Sequence, residues 1–454
     1  MMDGRVVSPV SDNLLRRLAA FGEACRHRPL SEPETEAMVT RLIDAMACAV
    51  IATGSTEFAR LKAAFSDAQQ PCHIIGGGQA SLEHAAFLNS FLIRQQDWND
   101  TYIGRNGGHP SDLIGGVLAA GEYTEKSGAE VLRAMAIGQH VMLDLCDTGD
   151  LLARGWDPST YLGMASAVAV GVALDLSEAQ LAQAISMTVV SGNILMGRTG
   201  KVSSWKALSS AAAVRNSLFY GVLAKNGMTA PDPVFEGPYG FTRHISGDLD
   251  LELDPMRDRT CDSHLKLYPA VYHAQGPIEA AMNIHRRMIE AFGETLPTIE
   301  SAHLDIYEFA LRYAADAPDK WAPENVETAD HSLPFLSAHV LVTGEYGPGS
   351  IERTLHDPSV RALAKKVTVS ASAAFSQVWP KQTASQLTVI AAGRAFSEEI
   401  AAIIGHPTRP MSRETVLEKF MACAGEPSRA KRWADECLLE FPRLASIAEA
   451  VTGP

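Results

Sequence analysis

Hydrophobic and polar positions change period once along the chain, near Pro255. Before that point the period is helical. Ser31 and Glu34 frame a capping box ahead of an apolar run that ends near Ile51 and Gly54. Ser177 and Gln180 repeat the device before LAQAISMTVVSG, and residues 207–225 read as a further helix stopped by Gly227. Ala, Gly and Ser are abundant in these segments, so backbones can approach closely and helices can bury one another on nearly all sides. Beyond Pro255, residues 300–307 (ESAHLDIY), 365–370 (KKVTVS) and 385–391 (SQLTVIA) alternate polar with apolar or β-branched side chains, the period of half-buried strands. Helical patterns at 275–291 and 332–343 separate them, and 412–423 and 428–438 close the chain as helices. The pattern predicts a mainly α fold: a large all-helical domain over residues 1–261, completed by 399–454, and a smaller α+β lid domain over 262–398.

Composition narrows the function. With 454 residues, 46% of them hydrophobic and 20% charged, the chain can bury a large core, which excludes collagen-like, coiled-coil and disordered classes. A formal charge of −14 repels phosphate backbones and anionic lipid, so neither nucleic acid nor membrane is an expected partner. Seven cysteines are scattered without zinc or Cys-x-x-Cys spacing, and the N-terminal stretch lacks the long apolar core of a signal peptide. The longest apolar run, residues 164–174, is too short to span a bilayer. A cytoplasmic protein with reduced thiols is expected. Neither metal-ligand spacing nor a P-loop nor a dinucleotide glycine fingerprint occurs, so no metal and no cofactor are expected.

Four segments could carry chemistry. Asp97-Trp98-Asn99-Asp100-Thr101-Tyr102, followed by Gly107-Gly108-His109-Pro110-Ser111-Asp112, sets polar and aromatic residues between two apolar helices. Asp97 and Asp100 lie three apart, where a shared dry site would raise the pKa of one of them and make it a general acid. Asp112 or Ser111 reads as the N-cap of the helix that follows. His109 can move protons near neutral pH. Next, Ser203 and Lys206 have the Ser-x-x-Lys spacing of some acyl-transfer enzymes, but the accompanying motifs are missing, and acyl transfer is rejected. What remains is Lys206 in the first turn of a helix, where the macrodipole disfavours a cation unless an anion binds beside it. The segment 264–273 (HLKLYPAVYH) falls at the junction of the two domains, the usual place for a small-molecule cleft, with Lys266, Tyr268 and His273 facing it in some register. Finally, Asp330-His331-Ser332 opens an apolar helix with Ser332 as N-cap, and His339 within that helix reads as a core histidine. This set suits a small polyanion whose carboxylates are neutralised by lysine while a proton is moved at a neighbouring carbon.

Taken in order, DWNDTY…GGHPSD, RGWDPSTYLGMASAVAVGVALDLSEAQLAQAIS, SSWKALSS…GPYGF, LKLYPAVYHAQGPIEAA and DHSLPF resemble the MmgE/PrpD family over nearly the whole chain. Members of that family include 2-methylcitrate dehydratase, cis-aconitate decarboxylase and iminodisuccinate epimerase. The resemblance implies a homodimeric, metal-independent lyase with its site between a helical domain and a lid. It implies catalytic roles for Asp97, His109, Lys206, Lys266 and His273, and substrate contacts from Thr101, Tyr268, Asp157 and His331. The cis-aconitate decarboxylases share a His where this chain has Asp157 and a Tyr where it has Phe335, and the Asn-Asp-Thr and His-Pro-Ser-Asp wording is nearer to 2-methylcitrate dehydratase. The expected activity is dehydration of a tricarboxylate such as 2-methylcitrate. Decarboxylation or epimerisation by the same site, and a non-catalytic metabolite-binding scaffold, are the alternatives.

Overall fold

The computed structural model describes residues 12–64, 71–197 and 202–453. Its fold is mainly α, as the periodicity predicts. Capping boxes start helices Glu32–Ala52 and Glu178–Ser191 where Ser31 and Ser177 stand, and a third, from Ser127 and Glu130, starts Gly128–Asp147. Ser159–Ala173 is buried along its whole length, packed by Gly128–Asp147, Glu178–Ser191 and Trp205–Lys225. Small residues make this possible: a Cβ on Gly115 would lie 2.3 Å from the backbone nitrogen of Ser90, so helices Ile114–Tyr123 and Leu82–Gln95 meet backbone to backbone.

The apolar interior falls into two clusters. One runs from Leu14 to Leu265 and takes in Met411 to Val451. The other spans Ala270 to Ile400 and surrounds a four-stranded sheet in the order Val367–Ala371, Ile299–Ile306, Ser385–Ala391, Arg394–Ile400. The first pair is parallel and the others antiparallel. Ser385–Ala391 alternates buried and half-buried positions as its sequence alternates, and helices Gln275–Phe292 and Leu333–Thr343 pack around the sheet. Arg394–Ile400, whose charged residues mask its alternation, was not foreseen as a strand, and it carries the sheet past residue 398. Residues 428–438, read as one helix, divide into an α-helix Pro427–Trp433 and a π-helical turn Ala434–Leu438.

Helix Arg413–Cys423 returns the chain to the first cluster, where it packs on Glu32–Ala52. There the buried Lys419 ammonium donates to Asp44 at 2.7 Å and to the Trp98 carbonyl at 2.8 Å, fastening the loop that carries Asp97. All seven cysteines are free, six of them buried. Among the described residues no single helix is long and apolar enough to cross a membrane.

Candidate active site

Helix Leu82–Gln95 delivers Arg94 in its last turn, and the chain then reverses through Asp97, whose φ of 51° lies in the left-handed region rarely used by side chains other than Gly, Asn and Asp. A tight ladder pairing Tyr102–Ile103 with Gly107–Gly108 folds the following loop back, so that His109 returns beside Thr101. Thr101 also exchanges backbone hydrogen bonds with His264, at 2.8 and 2.6 Å, which brings the 264–273 segment against the first cluster. These elements enclose a cavity of about 890 Å³, its mouth included, lined among others by Arg94, Asp97, Thr101, His109, Asp157 and His331.

Hydrogen bonds fix the protonation pattern of the cavity. His109 Nδ1 lies 2.7 Å from the Asp100 carbonyl, which can only accept, so Nδ1 carries the proton and Nε2 keeps its lone pair. Thr101 Oγ1 sits 3.0 Å from the same Nδ1, and Nε2 is 4.0 Å from Asp97 Oδ1. Burial, together with the Arg94 and Lys266 charges, holds the His109 pKa well below the ordinary imidazole value, against the pull of Asp97. The imidazole is therefore a neutral base at pH 7.

Asp97 departs from expectation. Burial alone would raise its pKa, but Arg94, Lys266, His331 and Lys206 outweigh burial and hold it well below the carboxylate range. It shares no proton with Asp100, whose Oδ1 accepts from the Ser111 amide at 2.9 Å instead. The raised carboxyl is Asp112. Neither Asp112 nor Ser111 caps the next helix, which is entered through a 3₁₀ turn at Pro110–Leu113. The Asp112 carboxyl lines the cavity and accepts from Asn99 Nδ2 at 2.8 Å; burial pushes its pKa up to about 7 against Arg94, Ser210 and Asn99.

Both lysines come to this site, but neither lines the cavity. Lys266 donates to the Asp97 carbonyl at 2.7 Å and to its carboxylate at 3.0 Å. Lys206 lies 2.5 Å from Asp330 Oδ2, so the anion expected at the start of helix Trp205–Lys225 is a carboxylate of this chain. His331 connects the two pairs, with Nδ1 hydrogen-bonded to Asp330 and Nε2 3.5 Å from Asp97 Oδ2. Both ammonium groups are buried and each is neutralised by a carboxylate of this chain, as burial of a charge demands.

Residues 16–254 match the MmgE/PrpD N-terminal domain and residues 268–438 the MmgE/PrpD C-terminal domain. The chain belongs to the MmgE/PrpD family. It is 27% identical to the 2-methylcitrate dehydratase of Salmonella typhi over 377 residues, covering 76% of each chain. To the 2-methylcitrate dehydratase of Escherichia coli K12 it is 26% identical over 411 residues, 82% of each. To the cis-aconitate decarboxylase-like protein oryM of Aspergillus oryzae it is 25% identical over 443 residues, 90% of each.

The remaining positions divide sharply in this MmgE/PrpD chain. Asp157 lines the cavity and holds the start of helix Ser159–Ala173, accepting from the Ser159 amide at 2.9 Å and hydroxyl at 2.7 Å. His273 also lines it, with Nδ1 2.6 Å from Tyr307 Oη; burial, His331 and Lys266 lower its pKa to about 3. Tyr268 does not reach the cavity. Its amide is tied to Gln275 at 3.0 Å, and its ring turns into the second cluster, with Oη 3.5 Å from Met282 Sδ. His339 is a buried helix residue hydrogen-bonded to Thr354, as read from the sequence.

Sequence reasoning missed Arg94, the guanidinium that contacts both Asp97 and, at 3.7 Å, Asp112. Its only trace was its place three residues before Asp97 at a helix end. Arg94 lines the cavity, and its buried Nε, which makes no hydrogen bond among the described residues, faces Asp112 Oδ2. No group of three or more His, Cys, Asp or Glu side chains among the described residues is arranged to hold a metal ion.

Proposed function

We propose that this protein is a lyase that removes water from a small hydroxy tricarboxylate, 2-methylcitrate being the leading candidate and 2-methyl-cis-aconitate its product. The observation that carries the proposal is the pairing of a neutral His109, its lone-pair nitrogen 4.0 Å from an ionised Asp97, with a protonatable Asp112 in the same cavity. The names of the 2-methylcitrate dehydratase relatives support the reaction class.

In this reading His109 Nε2 takes the proton from the carbon beside a substrate carboxylate, and Asp97 stabilises the imidazolium that forms. Negative charge then builds on that carboxylate. Arg94, which lines the cavity, offsets that charge, while Lys266 and Lys206 act from behind by holding Asp97 and Asp330 in place. Asp112, whose carboxyl keeps a proton up to about pH 7, protonates the departing hydroxyl. Two titratable groups with pKa values pushed to opposite sides of their ordinary ranges thus divide the base and acid roles. The second cluster, from Ala270 to Ile400, acts as the lid by contributing His273, His331 and the far wall.

The test is to incubate the protein with 2-methylcitrate, citrate, cis-aconitate and iminodisuccinate while following alkene absorbance, released CO₂ and chirality. Alkene formation from 2-methylcitrate is the expected result. Release of CO₂ from cis-aconitate or loss of chirality without alkene would replace dehydration by decarboxylation or epimerisation, and binding without any turnover would replace it by a metabolite-binding role.

A further inference from the structure

The cavity has two unlike walls. Asp97, Thr101, His109, Asp112 and Asp157, all from the first cluster's side, make one of them. Phe309, Tyr313 and Trp379 make the other, Tyr313 and Trp379 packing against the second cluster. Their rings are nearly parallel. Phe309 and Tyr313 have centroids 5.9 Å apart and planes 12° apart, and Phe309 and Trp379 have centroids 5.8 Å apart and planes 16° apart. Trp379 is backed by Tyr307, stacked on it at 4.0 Å and 12°. His273 meets Phe309, Tyr313 and Trp379 with its ring tilted, at 5.4 to 5.6 Å, and is itself buried.

The result is a stepped aromatic shelf of parallel, mutually offset rings, met at a steep angle by the His273 ring. Rings of this kind offer a ligand apolar area. Phe309 keeps 39% of its surface exposed, so the shelf presents apolar surface to water until something covers it. None of the proton-transfer or anion-binding groups of the proposed reaction belongs to the shelf. A methyl group touches carbon atoms within about 4.0–4.5 Å, less than the spacing from one of these rings to the next.

We propose that the shelf is a subsite for an apolar substituent of the substrate, so that the site takes hydroxy polycarboxylates whose substituent extends beyond the methyl of 2-methylcitrate to an alkyl or aryl group of three or more carbons. This rests on the reading of the site as one that binds a hydroxy polycarboxylate. The polar wall then holds the carboxylates and the reacting carbon, while the substituent lies across Phe309 toward Trp379.

Calorimetric titration of the full chain with succinate, 2-methylsuccinate, 2-aminosuccinate, 2-propylsuccinate and 2-benzylsuccinate tests the subsite without requiring turnover. Propyl and benzyl acids are expected to bind at least tenfold more tightly than the methyl acid. Phe309→Ala is expected to shrink that ratio to under threefold and Phe309→Leu to keep most of it; Trp379→Leu supplies a second reduction of the ratio. Equal or weaker binding of the larger acids, no binding by any of the series, tighter binding of 2-aminosuccinate than of 2-propylsuccinate, or an unchanged ratio in both Phe309→Ala and Trp379→Leu would each overturn the proposal. In parallel, kcat/KM is measured for citrate, 2-methylcitrate and 2-propylcitrate. Turnover of 2-methylcitrate with a flat binding series leaves the reaction standing and removes the shelf, whereas a steep binding series with no dehydration of any hydroxy acid does the reverse.

Discussion

Lys266 holds Asp97 twice, donating from Nζ to its backbone carbonyl at 2.7 Å and to its carboxylate at 3.0 Å. The first bond secures a left-handed turn and the second keeps the carboxylate ionised. One fully buried ammonium group therefore supports both the shape of the turn and, beside Arg94, the charge of Asp97.

Lys266→Met leaves a buried carboxylate without that partner, and breaking a buried pair costs about 3–5 kcal/mol. Urea denaturation is expected to show a loss of this order. A midpoint within experimental error of wild type would show that Lys266 does not support Asp97.

Asp112→Asn preserves the shape of the carboxyl but cannot deliver a proton. A positioned general acid contributes on the order of 10²–10⁴-fold, so kcat should fall by that range with little change in KM. In wild type the protonated Asp112 is needed, so activity should decline above about pH 7, where burial holds its pKa. The decline should vanish from the residual activity of the variant. A wild-type profile that rises through pH 8 would exclude Asp112 as the acid.

Arg94→Lys keeps the charge but loses Nε and the planar fork that reaches Asp97 and Asp112 together. Loss of one charge-stabilising donor lowers turnover by roughly 10²–10³-fold. Steady-state kinetics check this, and a change below tenfold would remove Arg94 from the anion site.

Stability should fall as the medium is acidified from neutrality. His109, His273 and His331 are all held below the ordinary imidazole pKa of about 6.5, chiefly by burial. Below that pH the unfolded chain binds protons that the folded chain refuses, so their contribution is complete above about pH 6.5 and is lost as pH drops. Asp97, also depressed, adds stability above about pH 4 that is lost through its folded pKa. Asp112 works the other way, because its folded carboxyl keeps a proton between about pH 4 and its folded value near 7. Asp44 and Glu236 are raised like Asp112, and His264, His339 and His406 are depressed by burial like the three cavity imidazoles. Six imidazoles outweigh three carboxyls, so the urea midpoint is expected to be lower at pH 5 than at pH 7, and His273→Gln should reduce the difference.

Gly115→Ala should destabilise the helical cluster by about 1–3 kcal/mol or more, the range for overpacking a dense core. The added Cβ would meet the Ser90 backbone, which cannot move aside as a side-chain tip could. A thermal midpoint equal to wild type would contradict the close helix crossing.

Periodicity and capping made the helical half readable. Ser31 with Glu34 and Ser177 with Gln180 are local devices, complete within four residues, and the structure contains both. Strand Ser385–Ala391 was legible for the same reason, through its alternation. Arg394–Ile400 was not, because its solvent-facing charges obscure the period and its pairing partner lies across a turn.

Short local segments were enough to name the residues able to move protons or hold charge near the site, since Asp97, His109, Lys206, Lys266, His273 and His331 each belong to one. What each one does depends on folding. Asp97 and Asp112 differ by fifteen positions and carry the same side chain, yet the first is ionised and the second retains a proton to about pH 7. A pKa is set by burial and by charges a few ångströms away, and here those charges arrive from Arg94, Lys206 and Lys266, residues that only folding brings together.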